Sequence, residues 1–252
     1  MKPQLANMKK TTFFSILFSF FLLVSCNPSY KASTVEYRNY NVQPSGEFKT
    51  PLKDIIKPYS DSINKSMNNV LGENEVLLEK NARRNSLGFF MTDAFLFMAK
   101  QKFNTEVDVA FMNQGGIRLN ELAAGSITKG GIFELMPFDN LMFLQKVSGK
   151  QLKQYLDTLA AGGVIVQSGL TLKITNKRAE NILVRDQPLD ESKEYVISNS
   201  DYVINNSELL KSIPVQNIGY LQRDAIIDYV TMITQKGKKV VVENINRVTY
   251  AE

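Results

Sequence analysis

The chain has 252 residues, 44% of them hydrophobic and 22% charged, with 30 Lys and Arg against 25 Asp and Glu. It contains no histidine and one cysteine. A histidine-ligated metal centre and a Ser-His or Cys-His nucleophile both need an imidazole, so neither can be assembled from these residues. A single cysteine leaves the fold to rest on core burial rather than on an internal disulfide.

The first residues carry a targeting pattern. The stretch MKKTTFFSILFSFFLLVSC (8–26) has a basic start, an apolar run from Phe13 to Val24, and then Ser25 and Cys26. The run is too short to span a bilayer and ends on a small residue, which predicts a signal peptide over 1–25 with its start at Met1 or Met8. Leu23-Val24-Ser25-Cys26 resembles the lipobox of bacterial lipoproteins, which implies that Cys26 is the lipidated first residue of an extracytoplasmic, membrane-anchored chain. Asn27 is not the aspartate that retains some lipoproteins at the inner membrane, so the outer membrane is favoured. Removal of 1–25 takes away Lys2, Lys9 and Lys10, lowering Lys and Arg from 30 to 27 and the net charge from +5 to +2. Such a balanced body gives no support to nucleic-acid binding.

Residues 26–49 are polar, rich in Ser, Asn and Tyr, and read as a tether in which VEYRNYNVQ adds a short edge strand. A single domain is expected over 50–252. Thr50-Pro51 looks like an N-cap followed by proline at the first helical position. Leu52, Ile55, Ile56, Tyr59 and Ile63 follow at helical spacing, with a kink expected at Pro58. NVLGENEVLLEK (69–80) reads as strand. SLGFFMTDAFLFMAKQ (86–101) is apolar on nearly every side, so a buried helix is expected. Asp93 inside it reads as a hydrogen-bonded structural acid, or as the helix's narrow polar edge.

VDVAFM (107–112) is a short central strand. NQGGIRL (113–119) follows it, either as a plain turn or as a ligand-holding loop, with Arg118 solvated or paired to Glu121 in the first case. GSIT (125–128) is a brief strand ending on a helix-capping Thr128, with the helix running to Leu135. NLMFLQKVSG (140–149) is strand and KQLKQYLDTLAAGG (150–163) is helix, stopped at Gly162-Gly163. TLKIT (171–175), ENILVR (180–185) and EYVIS (194–198) are strands. RDAIIDYVTMITQKG (223–237) is helix, and KKVVVENINRVTY (238–250) is a final strand region. Helices and strands alternate, but the hairpin-like pairs in 169–198 argue for a mixed sheet packed by helices, an α/β (α+β) fold.

Five segments, in order, resemble the C-terminal domain of 5′-nucleotidases and UDP-sugar hydrolases. They are Leu87-Gly88 with Asp93-Ala94, Asn113-Gln114-Gly115-Gly116-Ile117-Arg118, Gly125-Ser126-Ile127, Pro137-Phe138-Asp139-Asn140, and Ser148-Gly149-Lys150-Gln151-Leu152. The resemblance covers roughly 50 to 250 and implies a substrate-recognition domain. In that family it sits beside a metallophosphoesterase domain whose two metals are held by His, Asp and Asn. No such domain is recognised in this sequence, so no cofactor is expected in this chain, and divalent metals are expected on a partner phosphoesterase chain.

The resemblance implies roles for six residues. Asn113 and Arg118 would bind the ribose and phosphate side of a nucleotide; a guanidinium offers forked donors to such oxygens, and glycines let the backbone approach closely or take positive φ. Phe138 would stack on the base and Asn140 would hydrogen-bond it. Tyr202 matches the second stacking aromatic, and Glu208 falls where the family has an aspartate. Three departures stand out. Asn206 and Ser207 replace a Gly-Gly pair, Gln114 replaces a glycine, and Ser86 and Phe89 stand where the family has polar or Arg residues, with Arg83 and Arg84 nearby as substitutes. Three readings follow: a recognition domain for extracytoplasmic nucleotide hydrolysis working with a separate metallophosphoesterase, a non-catalytic nucleoside or nucleotide binder, or an interaction module whose site has decayed.

Overall fold

The computed structural model describes residues 51–81 and 84–251. The signal peptide, Cys26, the tether with its edge strand, Thr50 as a cap, and Arg83 lie outside the described residues.

Helix α1 (Pro51–Met67) runs on through Pro58. Strands β1 (Val70–Asn74) and β2 (Leu78–Glu79) follow. Where one strand was expected over 69–80, a bend around Asn74 to Val76 splits it, and the two pieces join different sheets. Helix α2 (Ser86–Phe103) starts on Asn85, whose side-chain oxygen accepts from Gly88 N at 2.8 Å, and ends on left-handed Asn104. It is buried along most of its length, as its all-round apolar sequence requires.

Strand β3 (Val109–Met112) leads through a 3₁₀ turn (Gln114–Gly116) to β4 (Glu121–Leu122), β5 (Gly125–Thr128) and helix α3 (Lys129–Leu135). Thr128 caps α3, accepting from Gly131 N at 3.1 Å. Strand β6 (Leu141–Ser148) runs into helix α4 (Gly149–Ala161) through a capping box. Ser148 N donates to Gln151 Oε1 at 2.8 Å and Gln151 N to Ser148 Oγ at 3.2 Å. Gly149 is required there: a Cβ would lie 2.1 Å from the carbonyl oxygen of Asp190.

Strands β7 (Val166–Ser168), β8 (Leu170–Thr175), β9 (Arg178–Val184), β10 (Gln187–Pro188) and β11 (Glu194–Ser200) come next. Helix α5 (Asp201–Asn205), β12 (Val215–Leu221), helix α6 (Gln222–Gln235) and β13 (Val248–Tyr250) complete the chain. Only the last three residues of the expected 238–250 strand region form a strand; before them, Val240 makes a lone bridge to Asn74.

The mixed sheet has the order β12-β6-β11-β3-β7, with β3 and β11 parallel and the other pairs antiparallel. A second sheet has the order β10-β9-β8-β13. Strand β3 shows how the layers stack: Val109 and Phe111 face one apolar cluster, Ala110 and Met112 the other. Helices α2 and α6 cover the Ala110 side; α4 and the second sheet cover the Val109 side. Burial on both faces explains why VAFM is an unbroken apolar run. The expected mixed sheet packed by helices is what the structure shows.

Helix α1 is the exception to this packing. Leu52, Ile55, Ile56, Tyr59 and Ile63 are all exposed.

Candidate functional site

The cleft forms where the ends of three strands meet. Strand β3 delivers Asn113 and the 3₁₀ turn. The loop entering β6 delivers Phe138 and Asn140. The end of β11 delivers Tyr202 on the first turn of α5. Asn113, Gly115, Gly116, Arg118, Phe138, Asn140 and Tyr202 line a cleft of about 280 Å³. Five of the six candidate residues therefore share one cavity. Glu208 does not line it: its side chain is 91% exposed and pairs with Lys211 Nζ at 2.6 Å.

The turn after β3 is tight without left-handed backbone. Gly116 N donates to Asn113 O at 3.0 Å, and Ile117 N donates to Gln114 O at 3.2 Å. Neither Gly115 nor Gly116 is among the residues with positive φ, so conformational freedom is not their contribution. Smallness is: a Cβ on Gly116 would sit 3.2 Å from Asn113 Oδ1 and 3.1 Å from Met112 Cε. Gln114 Oε1 is buried without a hydrogen-bond partner. Lys80 Nζ donates to Ile117 O at 2.8 Å, and Arg118 N donates to Leu135 O at 2.9 Å, which fixes the exit of the turn.

Arg118 is exposed. Its guanidinium carbon lies 5.4 Å from the centre of the Phe138 ring, a cation–π placement. A long 3.5 Å contact to Gly115 O is its hydrogen bond. The side chain thus stands against the Phe138 ring with its guanidinium open to solvent.

Phe138 is 37% exposed and Tyr202 is 55% exposed. Rings of this size are among the most strongly buried groups in folded proteins, so two left open on one cleft are informative. The backbone beneath each is held. Arg223, at the start of α6, donates from Nη1 to Phe138 O at 3.2 Å and pairs through Nη2 with the Asp139 carboxylate. Its guanidinium also lies 4.1 Å from the centre of the Phe133 ring. Gln222 N donates to Asn140 O at 2.9 Å. Asp201 Oδ1 accepts from Leu141 N at 3.1 Å and from Tyr202 N at 2.8 Å.

Arg223, Gln222 and Asp201 were not singled out by the sequence. An acid such as Asp201 at a helix start is an ordinary signal, and nothing local says which loop Arg223 or Gln222 reaches.

The three departures resolve differently. Asn206 and Ser207 take ordinary backbone angles and close the short helix: Asn206 N donates to Tyr202 O at 3.2 Å and Ser207 N to Ile204 O at 3.1 Å. Ser86 turns away from the cleft, its Oγ accepting from Glu79 N at 2.8 Å. Phe89 is 1% exposed and belongs to the core. Among the described residues Arg118 is the one cation lining the cleft.

The donor set does not fit a divalent metal. Among the described residues no three of His, Cys, Asp and Glu gather closely enough to hold one. What the cleft offers is two exposed aromatic rings, amide groups and a guanidinium.

The family described as 5′-nucleotidase, C-terminal domain, matches residues 65–212. A 5′-nucleotidase of Vibrio vulnificus (strain CMCP6) is 24% identical over 156 residues, which cover 59% of this chain and 28% of the relative. Protein UshA of Escherichia coli (strain K12) is 23% identical over 154 residues, covering 59% and 28%. The chain thus spans under a third of these two relatives' length. Among solved structures, a 5′-nucleotidase precursor from Thermus thermophilus superimposes with a TM-score of 0.65 at 22% identity, covering 79% of this chain and 42% of that one. The Haemophilus influenzae NAD nucleotidase gives 0.60 at 16% identity, covering 79% and 41%. At these identities the structural likeness speaks for the fold.

Proposed function

The chain belongs to the 5′-nucleotidase C-terminal domain family, and from that membership we propose that it recognises the base and ribose of a nucleotide for a hydrolysis performed by a separate metal-bearing phosphoesterase chain. The observation that carries this is that Phe138 and Tyr202 are both open to solvent on one cleft, which they share with Asn113, Asn140 and Arg118. Two aromatic faces suit a flat heterocycle, because every nucleobase has a π-face to stack. The amides of Asn113 and Asn140 supply donors and acceptors for base and sugar, and Arg118 supplies cationic donors for oxygens beyond them.

The sequence has no histidine. Imidazole metal ligands and the attacking water would come from outside these residues, on this reading from a partner chain, while the cleft residues bind and orient. Titration calorimetry of the chain with adenosine, AMP and UDP-glucose tests the binding; saturable heat with at least one is expected, and none with all three would overturn the reading. Metal-dependent nucleotide hydrolysis by the purified chain with Zn²⁺ or Mn²⁺ would overturn the division of labour. A second reading, a nucleoside or nucleotide binder outside catalysis, is favoured by Glu208, the acid that the resemblance would put on the ligand, which instead pairs with Lys211 in solvent away from the cleft.

We also propose that Cys26 is lipidated and tethers the domain to an extracytoplasmic membrane face, the outer membrane favoured. No described helix is long and apolar enough to cross a membrane. Palmitate labelling that persists in Cys26→Ser would exclude the anchor.

A further inference from the structure

The two ring-bearing segments come from distant parts of the chain, and one carboxylate oxygen touches both. Strands β6 and β11 pair antiparallel from Glu194↔Ser148 to Ser200↔Met142. There the ladder stops, because the chain after Ser200 turns into α5 and its backbone carbonyls point along the helix. Leu141 N–H, next in line, has lost its strand partner on that side. Asp201 replaces it: its Oδ1 accepts from Leu141 N at 3.1 Å while also accepting from Tyr202 N at 2.8 Å. Leu141 lies three residues after Phe138. On the other side of the same loop, Gln222 N and Arg223 hold Asn140 O, Phe138 O and Asp139.

We propose that Asp201 is the positioning residue of the aromatic clamp. It sets the placement of Phe138 against Tyr202 and so selects ligands that carry one flat ring system. The proposal rests on the base-binding reading of the same cleft. The β6–β11 ladder sets the two strands side by side, and a single acceptor that serves both segments carries that alignment one step further, to the ends that bear the rings. Arg223 then acts as the fixed backstop against which Asp201 holds the Phe138 loop. Asp201 does not line the cleft, so its effect on a ligand passes through the two rings.

The test compares Asp201→Ala with Asp201→Asn, which keeps an acceptor oxygen at the same place. With adenosine as the probe, Asp201→Ala is expected to weaken binding about tenfold, the equivalent of one lost charge-assisted hydrogen bond, while Asp201→Asn stays within about threefold of wild type. A ligand-free readout runs beside it. Amide hydrogen exchange at Leu141 and Tyr202 should accelerate about tenfold in Asp201→Ala and remain near wild type in Asp201→Asn, with exchange in α2 unchanged. Unchanged exchange at Leu141 in Asp201→Ala, or unchanged adenosine affinity, overturns the proposal. Wild-type protein that binds no adenosine, AMP or UDP-glucose while Leu141 exchange still follows Asp201 overturns the binding reading instead.

Discussion

Asp93, in the middle of α2, and Arg247, just before β13, meet across 154 residues in a two-point ion pair. Arg247 Nη1 lies 2.6 Å from Asp93 Oδ1, and Nη2 lies 3.1 Å from Oδ2. Ser168 Oγ donates to the same Oδ1 at 2.5 Å. The Arg247 side chain is 8% exposed and lies 4.7 Å from the centre of the Phe89 ring. Asp93 is thus the structural acid of the helix, tying α2 to β7 and to the C-terminal segment. Asp93→Ala leaves a buried guanidinium without its counter-ion, and breaking such a pair from one side costs about 3–5 kcal/mol. Because the Asp93 side chain keeps 24% exposure, the lower end, about 3 kcal/mol, is expected. Urea unfolding should show the midpoint drop, with adenosine binding unchanged wherever the protein remains folded.

Phe138 and Tyr202 predict the opposite pattern. Both rings are partly exposed, so removing either forfeits little core burial. On the proposed base-binding reading each would contribute a stacking face instead, which carries roughly 1–3 kcal/mol in base–aromatic systems. Phe138→Ala and Tyr202→Ala should each weaken adenosine binding roughly 5- to 150-fold while leaving the urea midpoint close to wild type. Tyr202→Phe should bind as wild type, since it keeps the ring. Equal losses of stability and affinity in the alanine variants would make these rings core residues.

These paired predictions show how far the sequence could be read. The cleft residues were legible because each sits in a short motif at a strand end, and five of six come together. Glu208 matches the family's acid only by its spacing in a segment whose glycines are gone, and that segment closes as a helical turn followed by a 3₁₀ turn (Leu210–Ser212). Strand β12 escaped notice because it is an edge strand: VQNIGYL leaves Val215 to Gly219 exposed and shows no alternation of burial. The run KKVVV looked like strand by composition, yet Val240 makes only an isolated bridge there. β-propensity without a neighbouring strand at the right register does not make a ladder. Asp201 and Arg223 were invisible because their partners lie about 60 and 84 residues away.

Tyr155 gives a prediction about pH. The ring is 4% exposed and its hydroxyl accepts from Asn199 Nδ2 at 2.9 Å. Burial pushes the phenol up to about 12, against a smaller opposing effect of the Asn199 hydrogen bond. The folded state therefore holds this proton more tightly than the unfolded chain, whose tyrosines ionise near 10. Stability from this group is intact below pH 10 and is lost as pH rises through 12, by on the order of 2–3 kcal/mol. Tyr220 and Tyr229, whose phenols are raised mainly by burial, lose stability in the same direction. Tyr155→Phe should cost about 1 kcal/mol near neutrality, where Asn199 loses its acceptor. That deficit should shrink and reverse between pH 10 and 12, as read from chemical unfolding at pH 8, 10 and 12. A deficit constant across this range would contradict the argument.

Helix α1 yields the last prediction. Its spacing is that of an amphipathic helix, and the structure forms the helix, yet its apolar side faces solvent: Ile55 is 64% exposed and Tyr59 70%. The contacts that seat it lie at its end, where Met67 packs against Gly130 and Lys129 N donates to Asn69 O at 2.9 Å. A helix of 17 residues without a packed face is marginal in water. Pro58 further weakens it, since a proline in a helix interior removes one backbone donor. Ile55→Ser combined with Tyr59→Ser should therefore shift the unfolding free energy of the body by no more than about 0.5 kcal/mol, as surface substitutions do. By the same reasoning, amides of residues 53–63 should exchange with solvent far faster than those of α2, whose protection should approach that of global unfolding. Protection of α1 equal to that of α2, or a large loss of stability in the double serine variant, would mean that this face is packed against something in solution.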